Sequence, residues 1–123
     1  MDQEHASMVA VVDDDDDVGE VLRGLLETMG YHVETYRSGA EFLAGFRSRN
    51  IACLVVDQNM PAMTGLELCS RLSKLGISIP TLLITGTPDA DIRRRATELG
   101  VMTVLEKPMS HHELLRFVSF SMG

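Results

Sequence analysis

Five consecutive aspartates, Asp13 to Asp17, follow directly on the apolar run Met8-Val9-Ala10-Val11-Val12. Asp57 follows Ile51-Ala52-Cys53-Leu54-Val55-Val56 in the same way. A run of like charge ordinarily repels itself and stays solvated. Here the acids are joined to stretches rich in β-branched residues, which read as buried strands. Carboxylates crowded at a strand's carboxyl end are hard oxygen ligands, suited to a hard cation such as Mg2+, with Mn2+ as a substitute. Thr85 closes a third apolar run, Pro80-Thr81-Leu82-Leu83-Ile84, and Lys107 follows a fourth, Met102-Thr103-Val104-Leu105, after Glu106. Taken singly, each residue has an ordinary structural reading: a helix cap, a turn hydroxyl, a solvated ammonium. Together they place acids, a hydroxyl and a cation at the ends of successive strands.

The elements between these runs decide whether the ends can meet. Val18, Val21, Leu22, Leu25, Leu26 and Met29 recur at helical spacing, with Asp16 or Asp17 as the cap and Gly30 as the stop. Residues 31–36 alternate as a strand, and its polarity predicts a sheet edge. A short helix from near Ser38 carries Phe42, Leu43 and Phe46. After Asp57, Gln58 to Gly65 reads as a loop by its proline and glycine. Leu68, Leu72 and Leu75 mark a third helix, Ile92, Ala96 and Leu99 a fourth, and Leu114, Leu115, Phe117 and Val118 a last one. Strand and helix thus alternate five times. The prediction is an α/β fold: a flavodoxin-like, doubly wound, five-stranded parallel sheet of order 2-1-3-4-5 with five helices. Its ligand crevice falls at the carboxyl ends of strands one and three.

The 123 residues suit a single domain, 1–123, with its core over about 8–120. Hydrophobic residues make up 45%, enough for a packed interior and too many for a disordered chain. A formal net charge of −7 disfavours direct binding to nucleic acid or an anionic membrane. Two cysteines, Cys53 and Cys69, build neither a metal finger nor a disulfide framework, and Cys53 reads as core. The acidic N-terminus lacks a signal peptide's regions, so the expectation is a reduced, cytoplasmic protein.

In their order, Val11-Val12-Asp13-Asp14-Asp15, Val55-Val56-Asp57-Gln58-Asn59-Met60-Pro61, Met63-Thr64-Gly65-Leu66-Glu67, Leu83-Ile84-Thr85-Gly86 and Glu106-Lys107-Pro108 resemble a response-regulator receiver domain. This is the phosphoacceptor of two-component signalling, and the resemblance covers nearly the whole chain. It implies that Asp57 takes a phosphoryl group from a histidine kinase or histidine phosphotransfer protein, and that a downstream protein reads the result. It implies Mg2+ on Asp14, on Asp13 directly or through water, on Asp57, and on the backbone carbonyl of Asn59. Lys107 would pair with the phosphoryl group or with Asp57, Thr85 would hydrogen-bond the phosphoryl group and draw its loop inward, and Lys107-Pro108 would be cis. Such a protein catalyses only its own phosphorylation and dephosphorylation, so it is not expected to be an enzyme.

The chain departs from the family at Val104, where receivers commonly carry a tyrosine or phenylalanine that swings inward. A valine is too short and too stiff at χ1 to repeat that flip. Asp15 is expected at the rim of the pocket, the Arg93-Arg94-Arg95 cluster on a solvated face, and His111 and His112 at a solvated helix start. Asn59 and Thr87 flank the phosphoryl position. The chain ends soon after the last helix, so a stand-alone phosphoacceptor is expected, a piece of a longer regulator being the alternative. Two other functions compete: a receiver-like binding module working without phosphorylation, and a Mg2+-dependent phosphatase with an aspartate nucleophile. The phosphatase needs an acid two residues after the nucleophile, where Asn59 stands.

Overall fold

The computed structural model describes residues 7–122. Its elements run β1 (Met8–Val12), α1 (Asp16–Thr28), β2 (His32–Tyr36), α2 (Gly39–Gly45) with a 3-10 turn at Phe46–Ser48, β3 (Ile51–Asp57), α3 (Gly65–Lys74), β4 (Thr81–Thr85), α4 (Ala90–Glu98), β5 (Thr103–Glu106) and α5 (His111–Met122). The five strands form one parallel sheet in the order β2-β1-β3-β4-β5. The predicted order and the edge position of the second strand are both found. Residues 1–5, read above for a missing signal peptide, lie outside the described residues.

The continuous apolar runs are explained by the two faces of the sheet. Ala10, Val12, Leu54, Val56 and Leu83 point to one side, into a core with Phe42, Leu66, Leu68, Leu72 and Ala96 of α2, α3 and α4. Val9, Val11, Cys53, Val55, Leu82 and Ile84 point to the other, against Leu22 and Leu26 of α1 and Leu114, Phe117 and Val118 of α5. A central parallel strand covered on both faces has no polar side to show, so its period-2 pattern disappears from the sequence.

Helix caps account for several of the remaining polar residues. Ser38 caps α2, Thr64 and Glu67 form a reciprocal capping box on α3, and Asp89 caps α4. For α1 the cap is Asp15, whose carboxylate accepts from the N–H groups of Asp17 and Val18. The expected cap, Asp16 or Asp17, is thus corrected to Asp15. Both of those acids lie in the first turn, where the helix dipole favours them. The predicted stripe of α1 is also narrower than its spacing suggests: Val21 and Met29 are exposed. Val21 lies instead in a shallow cleft with Pro108 and Met109, beyond the end of the sheet.

Candidate phosphoacceptor site

Asp57 is the last residue of β3 and is 3% exposed, an ionisable group held almost fully out of water. It is paired: Lys107 Nζ lies 2.9 Å from its Oδ1. The backbone N–H of Asn59 donates to the same oxygen at 3.1 Å. Both donors meet the same oxygen, Oδ1. The lysine is carried there by β5, whose ladder to β4 continues past the strand with the N–H of Lys107 donating to the carbonyl of Thr85 at 2.9 Å. The peptide bond that follows, Lys107-Pro108, is cis.

Asp13 and Asp14 follow β1, the neighbour of β3. Carboxylate oxygens of Asp13, Asp14 and Asp57 all lie within 4.8 Å of one another. Asp13 is buried and its N–H is held by the carbonyl of Tyr36, while Asp14 is exposed. Burial is the main cause that pushes the Asp13 carboxyl up, from 3.8 to about 6. The N–H of Asp15 holds it down in part (2.9 Å to Oδ1). The charge of Asp57 raises it further, that of Lys107 lowers it, and that of Asp14 raises it. Three carboxylates against one ammonium leave an excess of negative charge. That donor set suits a dication with hard oxygen preference, and the carbonyl of Asn59, two residues beyond Asp57, is the further oxygen expected from the sequence.

The rest of the aspartate run is used otherwise. Asp15, expected at the pocket's rim, has its carboxylate turned to the helix amides as the cap. Asp16 reaches across to Arg37: Nε donates to Oδ1 at 2.9 Å, and a terminal guanidinium nitrogen donates to Oδ2. The Arg37 hydrogen bond holds the Asp16 carboxyl below the usual carboxylate range.

Thr85 ends β4 and is fully buried. Its hydroxyl donates to Asn59 Oδ1 (3.4 Å) and accepts from the N–H of Thr87 (3.2 Å), and the N–H of Gly86 also donates to Asn59 Oδ1 (3.3 Å). The expected residues therefore converge on one end of the sheet, with Asn59 between Asp57 and Thr85. Val104 pairs in register with Leu83 and packs half-buried on the α2–α4 side of the core. The arginine cluster is solvated and paired locally: Arg94 donates to Asp91 at 2.5 Å and Glu98 at 3.1 Å. His111 and His112 are exposed at the start of α5.

Two positioning residues escaped the sequence reading. Gln58 is buried, and its Oε1 accepts from the N–H of Leu66 at 2.8 Å, satisfying an otherwise open donor in the first turn of α3. The signal available was a polar residue directly after a buried strand. Gly65 starts α3 so close to β3 that an added Cβ would lie 2.8 Å from the Asp57 carbonyl oxygen and 2.7 Å from Leu83 Cδ1.

Comparison with known proteins gives a consistent picture. Residues 9–119 match the family model of the response regulator receiver domain. The chain is similar to the response regulator protein TodT of Pseudomonas putida, 34% identical over 112 residues covering 91% of this chain and 49% of that one. It is also similar to the transcriptional regulatory protein FixJ of Azorhizobium caulinodans, 36% identical over 115 residues covering 94% and 54%. Among solved structures, the crystal structure of FixJ-N superposes with a TM-score of 0.83 at 32% identity, covering 99% of this chain and 95% of that one. The chain spans about half the length of the curated relatives it matches.

Proposed function

The chain belongs to the response regulator receiver domain family, and on that premise we propose that it is the phosphoacceptor of a phosphorelay, with Asp57 as the acceptor. The observation that carries this reading is a buried carboxylate at the end of β3, paired to Lys107 at 2.9 Å and set within 4.8 Å of two more carboxylates. In the transfer, Asp57 Oδ2 attacks the phosphorus of a phosphohistidine on a histidine kinase or histidine phosphotransfer protein. The P–N bond breaks, a P–O bond forms, and the imidazole leaves with the electron pair. Phosphoryl transfer of this kind needs positioning and charge neutralisation more than covalent help from the protein.

Asp13, Asp14, Asp57 and the carbonyl of Asn59 would hold Mg2+, which when bound neutralises charge on the carboxylates and on the incoming phosphoryl oxygens. Lys107 supplies the fixed positive charge, first to Asp57 and then to the acyl phosphate. Thr85 supplies a hydroxyl from the far side of Asp57. Its movement toward the phosphoryl group makes a local charge event a displacement of the loop after β4. The output is a change of protein-contact surface read by a downstream protein. The protein acts catalytically only on itself, and works in the cytoplasm. Direct contact of this domain with nucleic acid is opposed by its −7 charge. Among the described residues no helix is long and apolar enough to cross a membrane.

Incubation with Mg2+ and acetyl phosphate should add one phosphate, removable by hydroxylamine, to the intact mass. Asp57→Asn should eliminate it, and persistence of the label in that variant would assign the acceptor elsewhere.

A further inference from the structure

We propose that the Asn59 side chain is a latch on the switch: in the resting molecule its amide oxygen takes the two donors that a phosphoryl oxygen on Asp57 must recruit. The proposal rests on the phosphoacceptor reading of Asp57. Two donors from the loop after β4, the Thr85 hydroxyl and the Gly86 N–H, converge on the single oxygen Asn59 Oδ1 at 3.4 and 3.3 Å. The amide's orientation follows from Gly86, whose N–H can only donate and so requires the oxygen, not the nitrogen, on that side. The Thr85 side chain is fully buried, and its oxygen already accepts from the N–H of Thr87 at 3.2 Å. Its one hydrogen is therefore committed to Asn59 for as long as the latch is closed.

The latch is anchored where it can sense the acceptor. The N–H of Asn59 donates to Asp57 Oδ1 at 3.1 Å, so one residue holds the acceptor with its backbone and the switch loop with its side chain. Opening is favoured by charge. A neutral amide oxygen at 3.3–3.4 Å is a weak acceptor, whereas hydrogen bonds to an ionised oxygen are shorter and roughly twice as strong. Phosphorylation of Asp57 thus offers both donors a better acceptor, while the amide bonds that must break subtract from the drive to switch. The resting state is held by a polar contact at Asn59, in a molecule whose Val104 has no ring to swing.

The test uses beryllofluoride, a tetrahedral phosphoryl mimic, titrated in excess Mg2+ into the wild type, Asn59→Ala, Thr85→Ala and the double variant, with the Gly86 amide followed by NMR. Asn59 is exposed, and its replacement by alanine keeps the backbone carbonyl and N–H. Asn59→Ala should bind about fivefold tighter than the wild type, the worth of about one net neutral hydrogen bond. The gain should shrink in the Thr85→Ala background, where one of the two donors is already gone. Without any ligand, the Gly86 amide of Asn59→Ala should exchange with solvent faster than in the wild type. Equal or weaker binding by Asn59→Ala, or unchanged Gly86 exchange, overturns the latch while leaving Asp57 as acceptor. Failure of the wild type itself to bind overturns the phosphoacceptor reading and removes the latch with it.

Discussion

The two sides of Asp57 are built on different physics. Toward β1 lie Asp13 and Asp14, a concentration of like charge relieved by Lys107, by the N–H of Asp15 and, within the helix start, by the cap and the Arg37 contact. Toward β4 lie Thr85, Gly86 and Asn59, neutral groups whose donors and acceptors are already matched to one another. The first side carries an excess of negative charge. The second is satisfied and must be displaced. A phosphoryl group on Asp57 meets both: it adds charge that the first side must neutralise and acceptors that the second side must prefer over its present ones. Charge perturbations should therefore be felt on the β1 side, and hydrogen-bond perturbations on the β4 side.

The largest expected effect is in the pH dependence of the metal-free protein. The Asp13 carboxyl is raised from 3.8 to about 6 in the folded state, so between those two pH values the folded protein holds a proton that the unfolded chain has lost. Its contribution is most favourable below about pH 3.8 and is lost as pH rises through about 6. Asp13→Asn removes that loss. In urea titrations with chelator present, the stability of this variant relative to the wild type should rise by roughly 2–3 kcal/mol between pH 4 and pH 7. Thr85→Val, on the satisfied side, should cost about 1 kcal/mol at every pH in that range. A pH slope in the threonine variant would break the division.

Metal gives the next effect. At a Mg2+ concentration ten times its dissociation constant, linkage should add about 1.4 kcal/mol to stability. The melting temperature of the wild type should rise accordingly, and Asp14→Ala should lose the rise. An unchanged shift in that variant would take Asp14 out of the metal site. The smallest effect belongs to the edge of the charged side. Asp16 and Arg37 form an exposed pair, and such pairs contribute little. Arg37→Ala should leave stability in urea denaturation essentially unchanged, a clear loss meaning that the contact helps hold the acid cluster together.

The same division separates what could be read from the sequence. Asp57, Asp13, Asp14 and Lys107 are legible because each follows a strand recognisable as an apolar run, and the strand order then brings the ends together. The capping residue of α1 is not legible because five identical side chains carry no register. Only the backbone turn after Asp14 assigns the cap to Asp15. Val21 shares the spacing of the buried stripe yet is exposed, since periodicity does not report where the neighbouring loop of Pro108 and Met109 stands. The Asn59–Thr85–Gly86 network joins residues 26 and 27 positions apart, and no local pattern encodes such a contact. Gln58 belongs with it: its role is set by where the start of α3 lies against the end of β3.

That last junction has a mechanical consequence. Gly65 meets the carbonyl of Asp57 with no room for a methyl group between them, and Gln58 clamps the N–H of Leu66 from below. The end of β3 and the first turn of α3 are thus closely packed and hydrogen-bonded to one another. Displacement started at Asp57 has little compliance to draw on there. On the phosphoacceptor reading it would be taken up on the opposite flank, where the chain between Thr85 and Asp89 is exposed or half-buried and is held to Asn59 by two long hydrogen bonds.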